Sequence, residues 1–155
     1  MDGMTRNGII DILLAEDDED HVFLIKKAIL SARNGFTYAF HVVKDGEEAL
    51  SYVRSEGNPR PDLVLLDIKM PKKSGLEVLR ELKSDSRYRS IPVVMLTSSA
   101  NEEDVVQSYG LGSNSYITKP VKYEEFIEKM RMIPEYWGKV NTLPPKHFKE
   151  KGGGP

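Results

Sequence analysis

The chain contains no cysteine, which excludes a disulfide framework, a thiolate zinc site and a thiol nucleophile. It has no apolar run long enough to span a membrane, and its first eight residues lack the apolar core of a signal peptide. An excess of one charge is missing too. With 22 Lys and Arg against 24 Asp and Glu, there is no electrostatic reason to expect nucleic acid or an anionic membrane as the main partner. A soluble, cytoplasmic chain with a protein partner is expected. Its 155 residues suit one domain with a substantial core.

Apolar runs of strand length are present, with helical patterns between them. Ile9 to Ala15, Ala39 to Val43, Leu63 to Leu66, Val93 to Leu96 and Tyr116-Ile117 read as strands. The first, third and fourth are almost uninterrupted aliphatics, the mark of parallel strands covered on both faces. Between and after them Val22, Ile25 and Ile29, then Ala49, Leu50 and Val53, then Leu76, Leu79 and Leu82, then Val105, Val106 and Tyr109, and last Phe126, Met130, Ile133 and Trp137 recur at helical spacing. Five strands alternating with five helices predict an α/β three-layer sandwich, a doubly wound parallel sheet of order 2-1-3-4-5. Asn34-Gly35, Gly57-Asn58-Pro59, Pro71, Gly75 and Gly110 to Gly112 supply turn chemistry where connections are needed.

The decisive pattern is carboxylate at strand ends. Glu16-Asp17-Asp18 follows the first apolar run directly, and Asp67 follows the third. In an open parallel sheet ligands bind outside the carboxyl ends of the strands, where the strand order reverses. If the first and third strands flank that point, their acids meet, and packed carboxylates persist best around a hard cation such as Mg2+. The fourth strand runs into Thr97-Ser98-Ser99 and the fifth into Thr118-Lys119-Pro120, which adds hydroxyls and an amine to the same rim. Singly, each has a plainer explanation: acids before a helix act as caps, Thr97-Ser98-Ser99 caps a helix near Asn101, and Lys-Pro marks a turn. Their common position at one rim favours a shared ligand.

The strings ILLAEDD (12–18), DLVLLDIKMPKKSG (62–75), VVMLTS (93–98) and SYITKP (115–120) resemble, in order and spacing, the signature blocks of two-component response regulator receiver domains. The resemblance covers roughly residues 9 to 135 and implies a flavodoxin-like fold. The segment 111–121, with Tyr136-Trp137 and Asn141 to Pro144, is similar to the stand-alone regulators that partner cyanobacterial-type phytochrome histidine kinases. The resemblance implies that Asp67 is the phosphoacceptor. It implies that Mg2+ is held by Asp17 and Asp67, by Glu16 through water and by the backbone carbonyl of Lys69. Thr97 and Lys119 then stabilise charge on the phosphoryl group, Tyr116 acts as a switch that turns inward as Thr97 moves, and Asp18 caps a helix. A cis bond between Lys119 and Pro120 is inferred from the family alone. Lys69 departs from common usage two residues after the phosphoacceptor, which leaves the phosphoryl lifetime open; Ser98 is a small departure that leaves room for phosphate.

Two other classes compete. A magnesium-dependent phosphatase of the haloacid dehalogenase type needs a second aspartate two residues after the first, where Lys69 stands. A degenerate receiver scaffold predicts loss of Glu16, Asp17, Asp67, Thr97 or Lys119, and all five are present. The expected organisation is a flexible stretch at 1–8, a receiver domain at 9–137 and a tail at 138–155, where four glycines, three prolines and Lys146, Lys149 and Lys151 offer little to bury. Pro134 should bend or end the last helix near Ile133. No output domain follows Trp137, so the signal is expected to leave through a surface, after phosphorylation by a histidine kinase of phytochrome or hybrid type. One route is a homodimer through the fourth helix, fifth strand and fifth helix. The alternative for Tyr136 and Trp137 is to fold back on the core.

Overall fold

A computed structural model describes residues 8–32 and 35–146. The expected flexible stretch, apart from Gly8, lies outside those residues, as do Asn34 and all tail positions beyond Lys146. The elements run β1 (Ile9–Ala15), α1 (Glu19–Leu30), β2 (Thr37–Val43), α2 (Gly46–Arg54), β3 (Leu63–Leu66), α3 (Gly75–Lys83), β4 (Val93–Thr97), α4 (Glu102–Leu111), β5 (Ser115–Thr118) and α5 (Tyr123–Ile133), then a π-helical segment (Pro134–Val140). All strand pairs are parallel and the order is β2-β1-β3-β4-β5. That is the flavodoxin-like arrangement expected from the sequence.

Alternation within a strand sends neighbouring side chains to opposite faces. Ile12 and Leu14 of β1 therefore enter one core with Ile25, Ile29, Phe126, Met130 and Ile133 of α1 and α5. Leu13 and Ala15 enter the other with Val78, Leu79 and Leu82 of α3. With β3 and β4 buried throughout, each large aliphatic contributes roughly 1.5–3 kcal/mol. This is why the central strands read as continuous apolar runs.

Two segments differ from expectation. In α4 the apolar stripe at Val106 and Tyr109 faces outward, 66% and 52% exposed, and the helix buries Ser108 instead. Ser108 is fully buried and Leu111 packs against the α3 side of the core, so the helix meets the domain through a small polar residue and its C-terminal end. At the other end α5 stops at Ile133 as expected, and Pro134, which has no N–H to donate, begins the π-helical segment, but the chain beyond it differs. Packing does not stop at Trp137. Leu143 is buried in the α1–α5 core, and Lys146 pairs with Asp11 and, at 3.2 Å, with Asp62 Oδ2. Both acids are buried at the end of the sheet away from the strand-end carboxylates. His41 Nε2 lies 2.9 Å from Asp11 Oδ1. Burial pushes the Asp11 carboxyl up, but His41 and Lys146 together outweigh it and hold the group below its ordinary range.

Candidate functional site

Strand register builds the site. Ala15 lies beside Leu66, and the Asp67 N–H donates to the Ala15 carbonyl at 3.1 Å, so Glu16 and Asp67 leave the sheet side by side. One oxygen from each of Glu16, Asp17 and Asp67 falls within 4.8 Å of the others. Glu16 and Asp67 are buried while Asp17 is exposed, which gives the cluster a dry floor and an open mouth. An all-carboxylate donor set facing solvent fits a hard divalent cation that keeps waters.

The chain after Asp67 is fixed by close packing. The Ile68 N–H donates to Asp67 Oδ1 at 2.7 Å, and the Gly75 N–H returns to the Ile68 carbonyl at 2.8 Å. A Cβ on Gly75 would sit 2.0 Å from the Asp67 carbonyl oxygen, so only glycine lets α3 start against that strand end. Ser74 and Glu77 close a capping box there, with the Ser74 N–H donating to Glu77 Oε1 at 2.9 Å and the Glu77 N–H to Ser74 Oγ at 3.3 Å. The side chain of Lys69 is exposed.

Lys119 reaches the acids from the end of β5. Its N–H donates to the Thr97 carbonyl at 2.7 Å, joining the two strand ends that carry the hydroxyl and the amine. Its Nζ hydrogen-bonds Glu16 Oε1 and lies 3.5 Å from Asp67 Oδ2. Burial pushes the Glu16 carboxyl up, and nearby Asp67 adds to the rise, so that Lys119 does not fully offset it. Thr97 is buried at the rim, its Oγ1 accepting from the Ser99 N–H at 3.3 Å. Tyr116 is half-buried and donates to the Ser99 carbonyl at 2.8 Å, which ties β5 to the loop after Thr97. Burial pushes its phenol up, with Asp104 and Asp67 adding to the shift against the lowering effect of the Ser99 contact.

The structure thus brings Glu16, Asp17, Asp67 and Lys119 together, with Thr97 on the same rim. Asp18 is the α1 N-cap, accepting from the Asp20 and His21 N–H groups at 2.9 and 3.2 Å. Asn101 rather than the Thr-Ser-Ser string caps α4, while Ser99 Oγ donates to Asp104 Oδ2 at 2.7 Å. The expected cis bond is not found: none of the described residues follows a cis peptide, and Lys119–Pro120 is trans. Even before proline the trans form is favoured by about 0.5–1 kcal/mol. Of the aromatic pair, Trp137 packs on the core while Tyr136 is 50% exposed, their rings edge to face at 5.1 Å. His21, unread in the sequence, lies with Nδ1 3.0 Å from Lys119 Nζ. Its only sequence signal is its place in the first turn of the helix that follows the acidic triplet.

Comparison with known proteins gives the family and the fold. A family model described as the response regulator receiver domain matches residues 12–131. The chain is 42% identical over 136 residues to the probable methanogenesis regulatory protein FilR2 of Methanothrix harundinacea, covering 86% of each chain. It is 36% identical over 137 residues to the response regulator Rcp1 of Synechocystis sp., covering 86% of this chain and 92% of Rcp1. The crystal structure of the Mn2+-bound form of Rcp1 superposes with a TM-score of 0.83, covering 87% and 99% of the two chains. That of the phosphorylated cyanobacterial phytochrome response regulator RcpA gives 0.82 at 41% identity, covering 87% and 98%.

Proposed function

The chain belongs to the response regulator receiver family of phosphorelay signalling domains, and from that premise we propose that Asp67 is its phosphoacceptor. The observation that carries the assignment is the meeting of Asp67, Glu16 and Asp17 with the buried amine of Lys119 at one strand-end rim. The Asp67 carboxylate attacks the phosphorus of a kinase phosphohistidine; a P–O bond forms, and the P–N bond breaks with its electron pair leaving on the imidazole. Lys119 donates to one phosphoryl oxygen and Thr97 to another, stabilising charge in transfer.

A divalent cation belongs to this chemistry, and Mg2+ is the ion proposed. Asp17, Asp67, Glu16 and the backbone carbonyl of Lys69 would hold it. When bound, it neutralises charge on the phosphoryl oxygens. Catalysis by the chain itself is confined to its own phosphorylation and dephosphorylation.

Tyr116 is the proposed relay. Its bond to the Ser99 carbonyl couples the ring to the loop that must shift when Thr97 moves toward phosphate, and the face of α4, β5 and α5 changes with it. Exposed Tyr109 of α4, Met132 of α5 and Tyr136 just beyond α5 support a phosphorylation-dependent homodimer. The donor is proposed to be a histidine kinase of phytochrome or hybrid type in the cytoplasm, on the likeness to Rcp1 and RcpA. No nucleic-acid partner is proposed.

Intact mass after incubation with a small phosphodonor and Mg2+ tests the reading. One phosphoryl group per chain is expected. Steady release of inorganic phosphate with no adduct indicates a phosphatase, and neither product indicates a scaffold.

A further inference from the structure

The aim of Lys119 rests on a residue outside the set already assigned. An ammonium has three N–H donors and no acceptor, and three acceptors surround Lys119 Nζ. They are Glu16 Oε1, His21 Nδ1 at 3.0 Å and, more loosely, Asp67 Oδ2 at 3.5 Å. Lys119 is 5% exposed, so water does not supply the bonds that a missing acceptor would leave.

His21 is itself held. It occupies the first turn of α1, and its N–H donates to the cap Asp18. Its ring centroid lies 5.5 Å from that of Phe126. Because the ammonium can only donate, Nδ1 is the accepting nitrogen and Nε2 carries the hydrogen. Nε2 in turn faces Asp18 Oδ2 at 3.8 Å, and a carboxylate there favours that tautomer. Thus the acid that starts α1 also orients the imidazole that holds the lysine.

We propose that His21 is a positioning residue for phosphoryl transfer. With Glu16 and His21 accepting from two of its N–H groups, the remaining N–H of Lys119 is left for the side of Asp67, 3.5 Å away, where the phosphoryl oxygens arrive. Without His21 the amine is held by one firm bond and is free to turn about it. Positioned donors stabilise developing charge best because they need no reorganisation at the moment of reaction.

This inference rests on the phosphoacceptor reading, so the test measures both. Phosphorylation by acetyl phosphate with Mg2+ is followed by intact mass in wild type, His21→Leu and His21→Asn. Leucine removes the acceptor, whereas asparagine places its amide oxygen near the position of Nδ1. The Leu variant should phosphorylate about tenfold more slowly, equivalent to about 1.4 kcal/mol in the barrier. The Asn variant should stay within about twofold of wild type, a rescue that a merely packing role would not produce. A Leu variant at the wild-type rate, or Leu and Asn variants slowed equally, overturns the proposal while the phosphoacceptor reading stands. A wild-type protein that gains no phosphoryl group refutes that reading, and this one with it.

Discussion

Replacing Lys146 with methionine should destabilise the fold from the end of the sheet opposite the strand-end carboxylates. Lys146 is the cation shared by Asp11 and Asp62, which are 5% and 3% exposed. Removing one partner of a buried ion pair costs about 3–5 kcal/mol because the remaining charge stays buried. Three features reduce that figure. Asp11 keeps His41 at 2.9 Å, Asp62 keeps the Asp11 N–H at 2.8 Å, and the Lys146 side chain is 28% exposed. About 2–3 kcal/mol should therefore be lost, a large share of a typical total of roughly 5–15 kcal/mol. For a chain of this size the midpoint should fall by roughly 5–10 °C. The pH dependence has a definite sign. Asp11 sits below its ordinary value in the fold, so it contributes stability that is present at neutral pH and is lost as pH falls through its lowered folded value. Without Lys146, Asp11 loses a hydrogen bond and a charge that both lower it, so the folded carboxyl takes up a proton more readily and the deficit of the variant should shrink between about pH 7 and pH 4. Thermal unfolding by circular dichroism across that range provides the measurement. A loss below about 0.5 kcal/mol, or a deficit that grows on acidification, would show that Lys146 acts as an ordinary surface ion pair.

Gly75→Ala should destabilise the domain by more than about 1 kcal/mol and slow phosphorylation together, since its methyl group collides with the backbone of Asp67; chemical denaturation and intact mass read the two effects, and a neutral variant would contradict the close packing of α3 on Asp67. If the folded carboxylate cluster holds Mg2+ as proposed, saturating ion should raise the melting temperature; an unchanged value counts against the cation site. Light scattering with and without a phosphoryl mimic should show a dimer only with it, and a mass that stays monomeric in both at high concentration would remove the homodimer.

What was legible in the sequence follows from how local its cause is. β1, β3 and β4 stand out because both faces of the central strands are covered, so nearly every position is apolar, Asp11 and Thr97 excepted. β2 starts two residues earlier than its apolar run suggests, because Thr37 and Tyr38 pair with Ile9 and Ile10 without forming a continuous apolar string. In α4, Val106 and Tyr109 have helical spacing yet stay exposed, whereas the residue the helix buries is Ser108, a polar position that no apolar pattern marks. Glu16, Asp17, Asp67, Thr97 and Lys119 were readable as a site because each ends a strand, and the topology alone gathers strand ends. His21 on Lys119 and Lys146 on Asp11 span 98 and 135 residues, and neither pairing leaves a periodic trace. The tail looked unable to pack for the same reason: composition does not show that Leu143 and Lys146 find partners waiting in the fold.

The central claim is that Asp67 carries the phosphoryl group. Asp67→Asn is nearly isosteric and keeps an oxygen able to accept from the Ile68 N–H, so the fold should survive while the nucleophile is lost. Wild type and variant should be incubated side by side with acetyl phosphate and Mg2+ and weighed intact. The account predicts one added phosphoryl group on the wild type and none on a variant with an unchanged circular dichroism spectrum. Equal uptake by the two proteins would contradict it.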